Sequence, residues 1–600
     1  MRISRFARTI ASVLAAGLGL LALPSLASAA PAPFGHACKA ENGVRFCPTV
    51  EEGERVPTFD GVPLDVDVTL PATGEGPFPA IVMMHGWGGS KADFESSSPA
   101  GNGNTTFDYN NDYYAQQGYA VLNYSARGWG RSCGSAASRE NTPGCEKGWV
   151  HLADQRYEAH DTQYLLGLLA DAKLVKPGKI GVTGISYGGG QSIELAYLRN
   201  RVRLTNNEFV PWTSPKGKKM KITAAYPRWP WSDLVDSLTP NGRYLDTAIA
   251  KPNESFEPYG VEIQSYVAGL FALGQASGYI APTGMDPEAD LSKWFVATNA
   301  GEPASPEAKE IAEKIYNYHQ GYGLSGVPAP LLIQNGWTDD LFAPEQALRV
   351  YNQARSIKGN VALQFGDLGH SRGSNASNVD HAFQEQGAAF FARRLKRVGT
   401  APRNGSVTAY TQTCGGASGE TPGPGGGPFT AKRWSKVHLH SVSFGSAAAQ
   451  TLTSAGGNAT IAAEFDPIAN TNACKMVAAE TEPSTANYTT ESTGFTLLGL
   501  PTVKATITTL GAFPEIAARL WDVTPGGKQR LISRGVYRVA ESQENATSPI
   551  TFQLHGNGYA FPAGDTVKLQ LLGRDAPYYR ASNGTFTIEA SNVIVKLPTP

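Results

Sequence analysis

The stretch Lys179-Ile-Gly-Val-Thr-Gly-Ile-Ser-Tyr-Gly-Gly-Gly190 reads as a strand, a tight turn and the start of a helix. The apolar run 180–182 leads into Gly184-Ile185-Ser186-Tyr187-Gly188, a Gly-x-Ser-x-Gly pattern, and the helix-compatible run 191–197 follows. That order is the context a nucleophile elbow requires. Glycines on both sides of the serine let the turn close without a Cβ clash, and the hydroxyl projects at the end of a sheet beside a helix N-terminus. Ser186 is the candidate nucleophile.

From about residue 50 to 400, short apolar runs alternate with helical stretches. The runs are 79–84, 119–124, 180–182, 222–225, 330–333 and 361–365. Nearly continuous apolar strands between helices suit a parallel sheet covered on both faces, and such sheets bind ligands at the carboxyl ends of their strands. The expected fold is an α/β-hydrolase. Residues 233–324 interrupt the alternation with helical patterns, aromatics and prolines, and are expected to fold over the active-site end as a cap. After about residue 402 the pattern changes. Runs such as 503–509, 550–554, 567–571 and 585–588 alternate with period two and are rich in β-branched residues, which predicts a C-terminal β-sandwich of the jelly-roll type. The glycine- and proline-rich stretch 415–427 is expected to be a loop or linker. The domain plan is thus 1–29 a signal peptide, 30–402 the hydrolase domain, and 403–600 the β-domain.

The N-terminus predicts export. Arg2, Arg5 and Arg8 precede an apolar stretch, 10–23, and Ala27-Ser28-Ala29 supplies a small-residue cleavage site. Six cysteines, an even number in an exported chain, are expected to form disulfides, paired in sequence as Cys38–Cys47, Cys133–Cys145 and Cys414–Cys474. A formal net charge of −1 argues against nucleic acid or an anionic membrane surface as a partner. No membrane contact is expected after signal cleavage, and no cofactor or metal; the peptide or ester substrate expected as partner follows from the residues below.

A serine hydroxyl needs an adjacent base, and the base an orienting acid. In an α/β-hydrolase the chain order is serine, acid, histidine. Three histidines follow Ser186 within the α/β region: His319 in the cap, His370 after the run 361–365, and His381 in a later helical stretch. His370 sits at a strand's carboxyl end and is the candidate base. For the acid, Asp339 and Asp340 share the loop after 331–333, while Asp367 is so near His370 in sequence that it is expected to shape the loop. A tetrahedral intermediate needs two donors for its oxyanion. The Tyr187 N–H is one candidate. The Trp87 N–H, from the loop His85-Gly-Trp-Gly-Gly-Ser90, is the other, and His85 is expected to be structural.

Gly184-Ile-Ser-Tyr-Gly-Gly189, Ala126-Arg-Gly-Trp-Gly-Arg-Ser132 and Gly336-Trp-Thr-Asp339 resemble the S15 peptidase family, which holds X-prolyl dipeptidyl aminopeptidases, cocaine-esterase-like enzymes and β-lactam acylases. Gly499-Leu-Pro-Thr-Val503, Ala518-Arg-Leu-Trp-Asp-Val-Thr524 and Ile532-Ser-Arg-Gly535 resemble its jelly-roll module. The resemblance implies that Asp339, in the Gly-Trp-x-Asp pattern, is the triad acid. It also implies a dipeptidyl-peptidase-type aminopeptidase, with a carboxylesterase or amidase as the alternative. In a third reading, the chain is an exported binding protein on a hydrolase scaffold. One departure is plain: family members commonly carry a tyrosine in the first oxyanion loop, and this loop has none. An aminopeptidase must hold a substrate ammonium, and the cap offers Asp246, Glu254, Glu257 and Glu262 for that. Trp229, Trp231, Tyr244 and Phe256 are expected to wall the pocket.

Overall fold

A computed structural model describes residues 32–96, 107–370, 372–373, 376–415 and 419–600. The expected signal peptide lies outside them. Among the described residues, no helix is long and apolar enough to cross a membrane.

An eleven-stranded sheet organises the first part of the chain. Its strands are β1 (Lys39–Glu41), β2 (Val44–Cys47), β3 (Val66–Pro71), β4 (Phe78–Met84), β5 (Ala120–Tyr124), β6 (Val175–Ile185), β7 (Ile222–Arg228), β8 (Leu331–Gly336), β9 (Val361–Gly366), β10 (Val407–Thr411) and β11 (Gly426–Ala431). They lie in the order β1-β2-β3-β5-β4-β6-β7-β8-β9-β10-β11. Neighbours from β5 to β10 pair in parallel. The outer strands β1 to β3 and β11 are antiparallel additions. Strands β5, β8 and β9 are buried at every position, which is why their sequences read as continuous apolar runs rather than alternating ones.

Two features depart from the sequence reading. The sheet does not stop near residue 402, because β10 and β11 extend it. Part of the glycine-rich stretch expected to be a loop is therefore strand: Gly426 and Gly427 begin β11. Glycine accepts an extended backbone as readily as a turn, and a partner strand selects between the two.

The cap between β7 and β8 contains α2 (Leu234–Leu238), α3 (Gln264–Ser277), α4 (Leu291–Asn299) and α5 (Pro306–Tyr318), while α1 (Tyr187–Leu198) follows β6. Local chemistry starts α5: Ser305 caps it by accepting from the Ala308 N–H, and Pro306 occupies the first turn, where no donor is needed. Helix α3 is apolar around most of its circumference. Val267, Leu270 and Phe271, spaced i, i+3, i+4, form the stripe it turns inward.

The C-terminal part is two antiparallel five-stranded sheets, a β-sandwich. One holds β12 (Thr502–Gly511) in its interior, and the other holds β13 (Lys528–Arg538) beside its central strand. Burial alternates along β12, so one face of the period-two pattern forms the core, where Ile507 shares a buried cluster with Phe552, Ile588 and Val595. The disulfides are Cys38–Cys47, Cys133–Cys145 and Cys414–Cys474, the sequential pairing expected.

Candidate active site

Ser186 stands between β6 and α1 with φ 57° and ψ −110°, a left-handed conformation that a residue with a Cβ adopts only under constraint. The constraint is close packing. A Cβ on Gly188 would fall 2.0 Å from the Met84 carbonyl oxygen, so only glycine lets the elbow press against β4. The Ser186 N–H donates to the Arg228 carbonyl (3.0 Å) and the Gly188 N–H to that of His85 (3.0 Å). The turn is thus tied to strands on either side.

Strands β8 and β9 run in register, with Gly336 opposite Gly366, so the loops that follow them leave the sheet side by side. The first delivers Asp339 and the second His370. His370 Nε2 lies 2.7 Å from Ser186 Oγ, and His370 Nδ1 lies 2.9 and 2.8 Å from the two Asp339 carboxylate oxygens. Asp339 is buried, and its Oδ1 also accepts the N–H groups of Leu341 (3.0 Å) and Phe342 (2.9 Å). Gly369, at φ 120°, makes the approach possible: a Cβ there would fall 2.6 Å from Asp339 Oδ2. In this arrangement the carboxylate fixes the proton on Nδ1, leaving Nε2 free to accept the serine proton.

The other sequence candidates lie elsewhere. Asp340 turns away from His370, its Oδ2 accepting from Arg372 Nε at 2.6 Å. Asp367 accepts the Thr338 hydroxyl at 2.6 Å and shapes its loop. His319 is buried, with Nδ1 2.9 Å from the Leu152 carbonyl, and His381 stacks on Phe107. His85 is structural: its Nε2 accepts the Ala126 N–H at 2.9 Å. Arg127 is locked in a buried ion pair with Asp161 and a half-buried one with Asp60, so the Arg-Gly-Trp-Gly loop supports the site from behind.

Tyr187 opens α1, where the first N–H groups of a helix have no intrahelical acceptor. Its ring is held by its hydroxyl, which donates to Glu158 (3.0 Å) and accepts from the Ala153 N–H (3.0 Å). Burial pushes the Glu158 carboxyl up to about 7, against the pull of Arg127. The Trp87 loop stands against the nucleophile. A Cβ on Gly86 would lie 3.9 Å from Ser186 Cβ, and the Trp87 ring meets those of Tyr187 (5.4 Å) and Trp129 (4.7 Å). Trp87 Nε1 donates to the Leu270 carbonyl at 2.9 Å, tying this loop to cap helix α3.

Ser186 opens into a pocket of about 1020 Å³, part of it open to solvent, walled by α2 to α5 and by Leu341 and Phe342 of the acid loop. The wall is almost wholly apolar. Among the described residues, Glu262 is the one carboxylate in it, and neither of its oxygens has a hydrogen-bond partner. The nearby Thr298 hydroxyl is directed at the carbonyls of Trp294 and Phe295. Burial raises the Glu262 carboxyl to about 7, with Arg580 and then Thr298 opposing. The other three cap acids are not in the pocket. Asp246 accepts from Trp434 Nε1 (2.8 Å) and Gln553 Nε2 (2.9 Å), Glu254 accepts the Lys251 N–H, and Glu257 is exposed. Of the expected aromatics, Trp231 lines the pocket and Trp229 packs near His370. Tyr244 instead covers Arg349, and Phe256 packs on Tyr316. The aromatics the sequence reading passed over are Tyr259, Phe271, Trp294 and Phe295. The helical spacing around Val267 was the available signal for Phe271.

Two family models match the sequence. One describes the X-Pro dipeptidyl-peptidase of the S15 family and covers residues 60–203, which include Ser186. The other describes the X-Pro dipeptidyl-peptidase C-terminal non-catalytic domain and covers residues 427–594. No curated protein matches by sequence. Among solved structures, a CocE/NonD family hydrolase from Staphylococcus aureus is similar at 14% identity, over 93% of this chain and 94% of that one, with a TM-score of 0.58. An aminopeptidase from a marine sediment archaeon, Thaumarchaeota archaeon, is similar at 14% identity over 92% and 96%, with a TM-score of 0.56. An α-amino acid ester hydrolase is similar at 14% identity over 93% and 97%, with a TM-score of 0.54. At such identities the likeness is one of fold.

Proposed function

The chain belongs to the S15 peptidase family, and on that footing we propose that it is a secreted serine hydrolase that removes short N-terminal peptides through an acyl-enzyme. Ser186 Oγ attacks the scissile carbonyl while its proton passes to His370 Nε2. The tetrahedral oxyanion meets the N–H groups of Tyr187 and Trp87. His370 then returns the proton to the leaving amine as the C–N bond breaks. Water, deprotonated by the same imidazole, attacks the acyl-enzyme and releases the acid. Asp339 stays ionised and holds the imidazole through both halves.

Hydrolysis rests on one observation, the short contacts that join Ser186, His370 and Asp339. The choice of an aminopeptidase rests on Glu262. A carboxylate in an apolar wall with no hydrogen bond to either oxygen is costly, since Arg580 and Thr298 only partly offset its burial, and a substrate ammonium supplies a direct partner. The apolar character of the rest of the wall favours a bulky hydrocarbon side chain beside that amine. It is also what gives the esterase or acylase reading its support, since a neutral acyl group needs nothing more. Export is proposed from the N-terminal sequence, and the three disulfides are compatible with it.

The two readings separate on a pair of substrates. A dipeptidyl anilide with a free amine should be cleaved with a kcat/KM about a hundredfold above its N-acetylated form, the upper range expected when one buried polar group is left unsatisfied. Equal rates would leave the esterase or acylase reading in its place.

A further inference from the structure

Asp340 follows Asp339 in the acid loop, and its contacts reach the C-terminal β-sandwich. Its carboxylate is 4% exposed and is paired with Arg372, two residues beyond His370, at 2.6 Å. On its other side stands Arg534 of β13, with Nε 3.8 Å away. The Asp340 backbone carbonyl accepts the hydroxyl of Tyr578 at 2.6 Å. One residue of the acid loop therefore joins three segments: the histidine loop through Arg372, and the β-sandwich through Arg534 and Tyr578.

The sandwich side of this junction is rigid by its own contacts. The Arg534 guanidinium lies 4.2 Å over the Tyr578 ring and donates to the Phe465 carbonyl at 2.5 Å. Beside it, Tyr579 and His555 are 3.2 Å apart, and His555 Nδ1 reaches Glu345 at 2.5 Å. Glu345 sits in the first turn of the helix Pro344–Ser356 that follows the acid loop, so the middle of that loop and the helix it leads into are held from the same side. Burial works against a charged Asp340, but Arg372 and then Arg534 outweigh it and hold the carboxyl below its usual range. The cluster is thus an ion pair with a second cation placed against it.

We propose that Arg534 and Tyr578 of the β-sandwich are positioning residues for the catalytic acid: by holding Asp340 they aim the Asp339 carboxylate at His370. The β-sandwich is on this account a working part of the catalytic centre. The inference rests on the Ser186–His370–Asp339 reading. Its physical ground is the narrow tolerance of such a relay, where a displacement of about 1 Å costs roughly a hundredfold in rate.

The test uses the full chain with Tyr578→Phe, Arg534→Lys, Arg534→Gln, Asp340→Asn and the double variant Arg534→Gln/Asp340→Asn. Each is assayed below the onset of its own thermal unfolding. Two readouts are taken: kcat and KM on nitrophenyl acetate, and the rate at which an alkyl fluorophosphonate labels Ser186. Arg534→Gln should lower kcat and the labelling rate at least about tenfold with KM within about twofold, and Arg534→Lys should recover part of the loss. Tyr578→Phe removes a single hydroxyl and should cost about threefold in kcat. The double variant should be no slower than the worse single one, since both changes act through the same contact. Folded variants that keep wild-type kcat, or losses that multiply in the double variant, overturn the proposal. Should Arg534→Gln fail to fold, Tyr578→Phe and Arg534→Lys decide alone. Labelling of Ser186→Ala at the wild-type rate would instead sink the hydrolase reading, whatever Arg534 does.

Discussion

Ser186→Ala should lower kcat by roughly four to six powers of ten while the protein melts where the wild type does. The substitution removes the hydroxyl but keeps the Cβ, so the strained turn and its packing against β4 are unchanged. His370→Ala should cost about as much, because a serine without its base gains little from the rest of the relay. Asp339→Asn should cost roughly 10⁴. The amide oxygen can still accept the Leu341 and Phe342 N–H groups, yet its NH₂ favours the wrong imidazole tautomer. Pairwise combinations should add little, since the three groups act as one unit. Asp340→Asn is the informative contrast. It leaves the Arg372 and Arg534 guanidiniums without their anion, so its harm should be divided between stability and rate and should stay well short of Asp339→Asn. Kinetics on a common ester, read beside melting curves, check all of these. An Asp339→Asn variant that outperforms Asp340→Asn would move the acid to the neighbouring residue.

Glu262→Gln should reduce kcat/KM for a free-amine peptidyl anilide by about a hundredfold and leave the N-acetylated analogue nearly untouched, because only the first presents an ammonium to the carboxylate. The effect has a pH signature. The Glu262 carboxyl, raised by burial to about 7, is neutral below that pH and anionic above it. Ammonium binding therefore weakens as pH falls through about 7, and KM for the free-amine substrate should rise there in the wild type. In Glu262→Gln that rise in KM should disappear. A KM profile that keeps its acid limb in the variant would show that Glu262 does not hold the amine.

The parts of this site written in neighbouring residues were legible in the sequence, and the parts made by distant contacts were not. Ser186 was legible because strand, turn and helix lie within a dozen positions. Asp339 and His370 follow β8 and β9, and a parallel sheet brings the carboxyl ends of adjacent strands together, so strand position pointed to His370 and to the loop holding Asp339 and Asp340, while the choice of Asp339 between the two came from the family resemblance. The cap gave less away. Its four acids look alike in sequence, and what separates them is tertiary: Asp246 turns to Trp434 and Gln553, whereas Glu262 sits just before α3 and inherits that helix's inward stripe. The pairing of Asp340 with Arg534 spans nearly two hundred positions and joins a loop to an antiparallel strand. No local periodicity records such a contact. The glycine-rich stretch misled for the opposite reason: its composition speaks for a turn, and only the presence of β10 makes Gly426 and Gly427 strand.

Strands β10 and β11 bear on how this protein can be taken apart. A hydrolase fragment ended at residue 402 would leave β9 as the outermost strand. That strand is buried along its whole length and carries Val361, Ala362, Leu363 and Phe365. Stripped of its neighbour, it would present unpaired N–H and C=O groups flanked by apolar side chains, a template for association with other chains. In the intact chain the sheet ends instead at β11, a strand exposed or half-exposed throughout and carrying Pro428, which cannot donate to a further strand. The residues that lead into the second domain thus also cover the edge of the first, and a fragment extended through Ala431 should stay soluble at concentrations where one ended at residue 402 associates, as light scattering of the two would show.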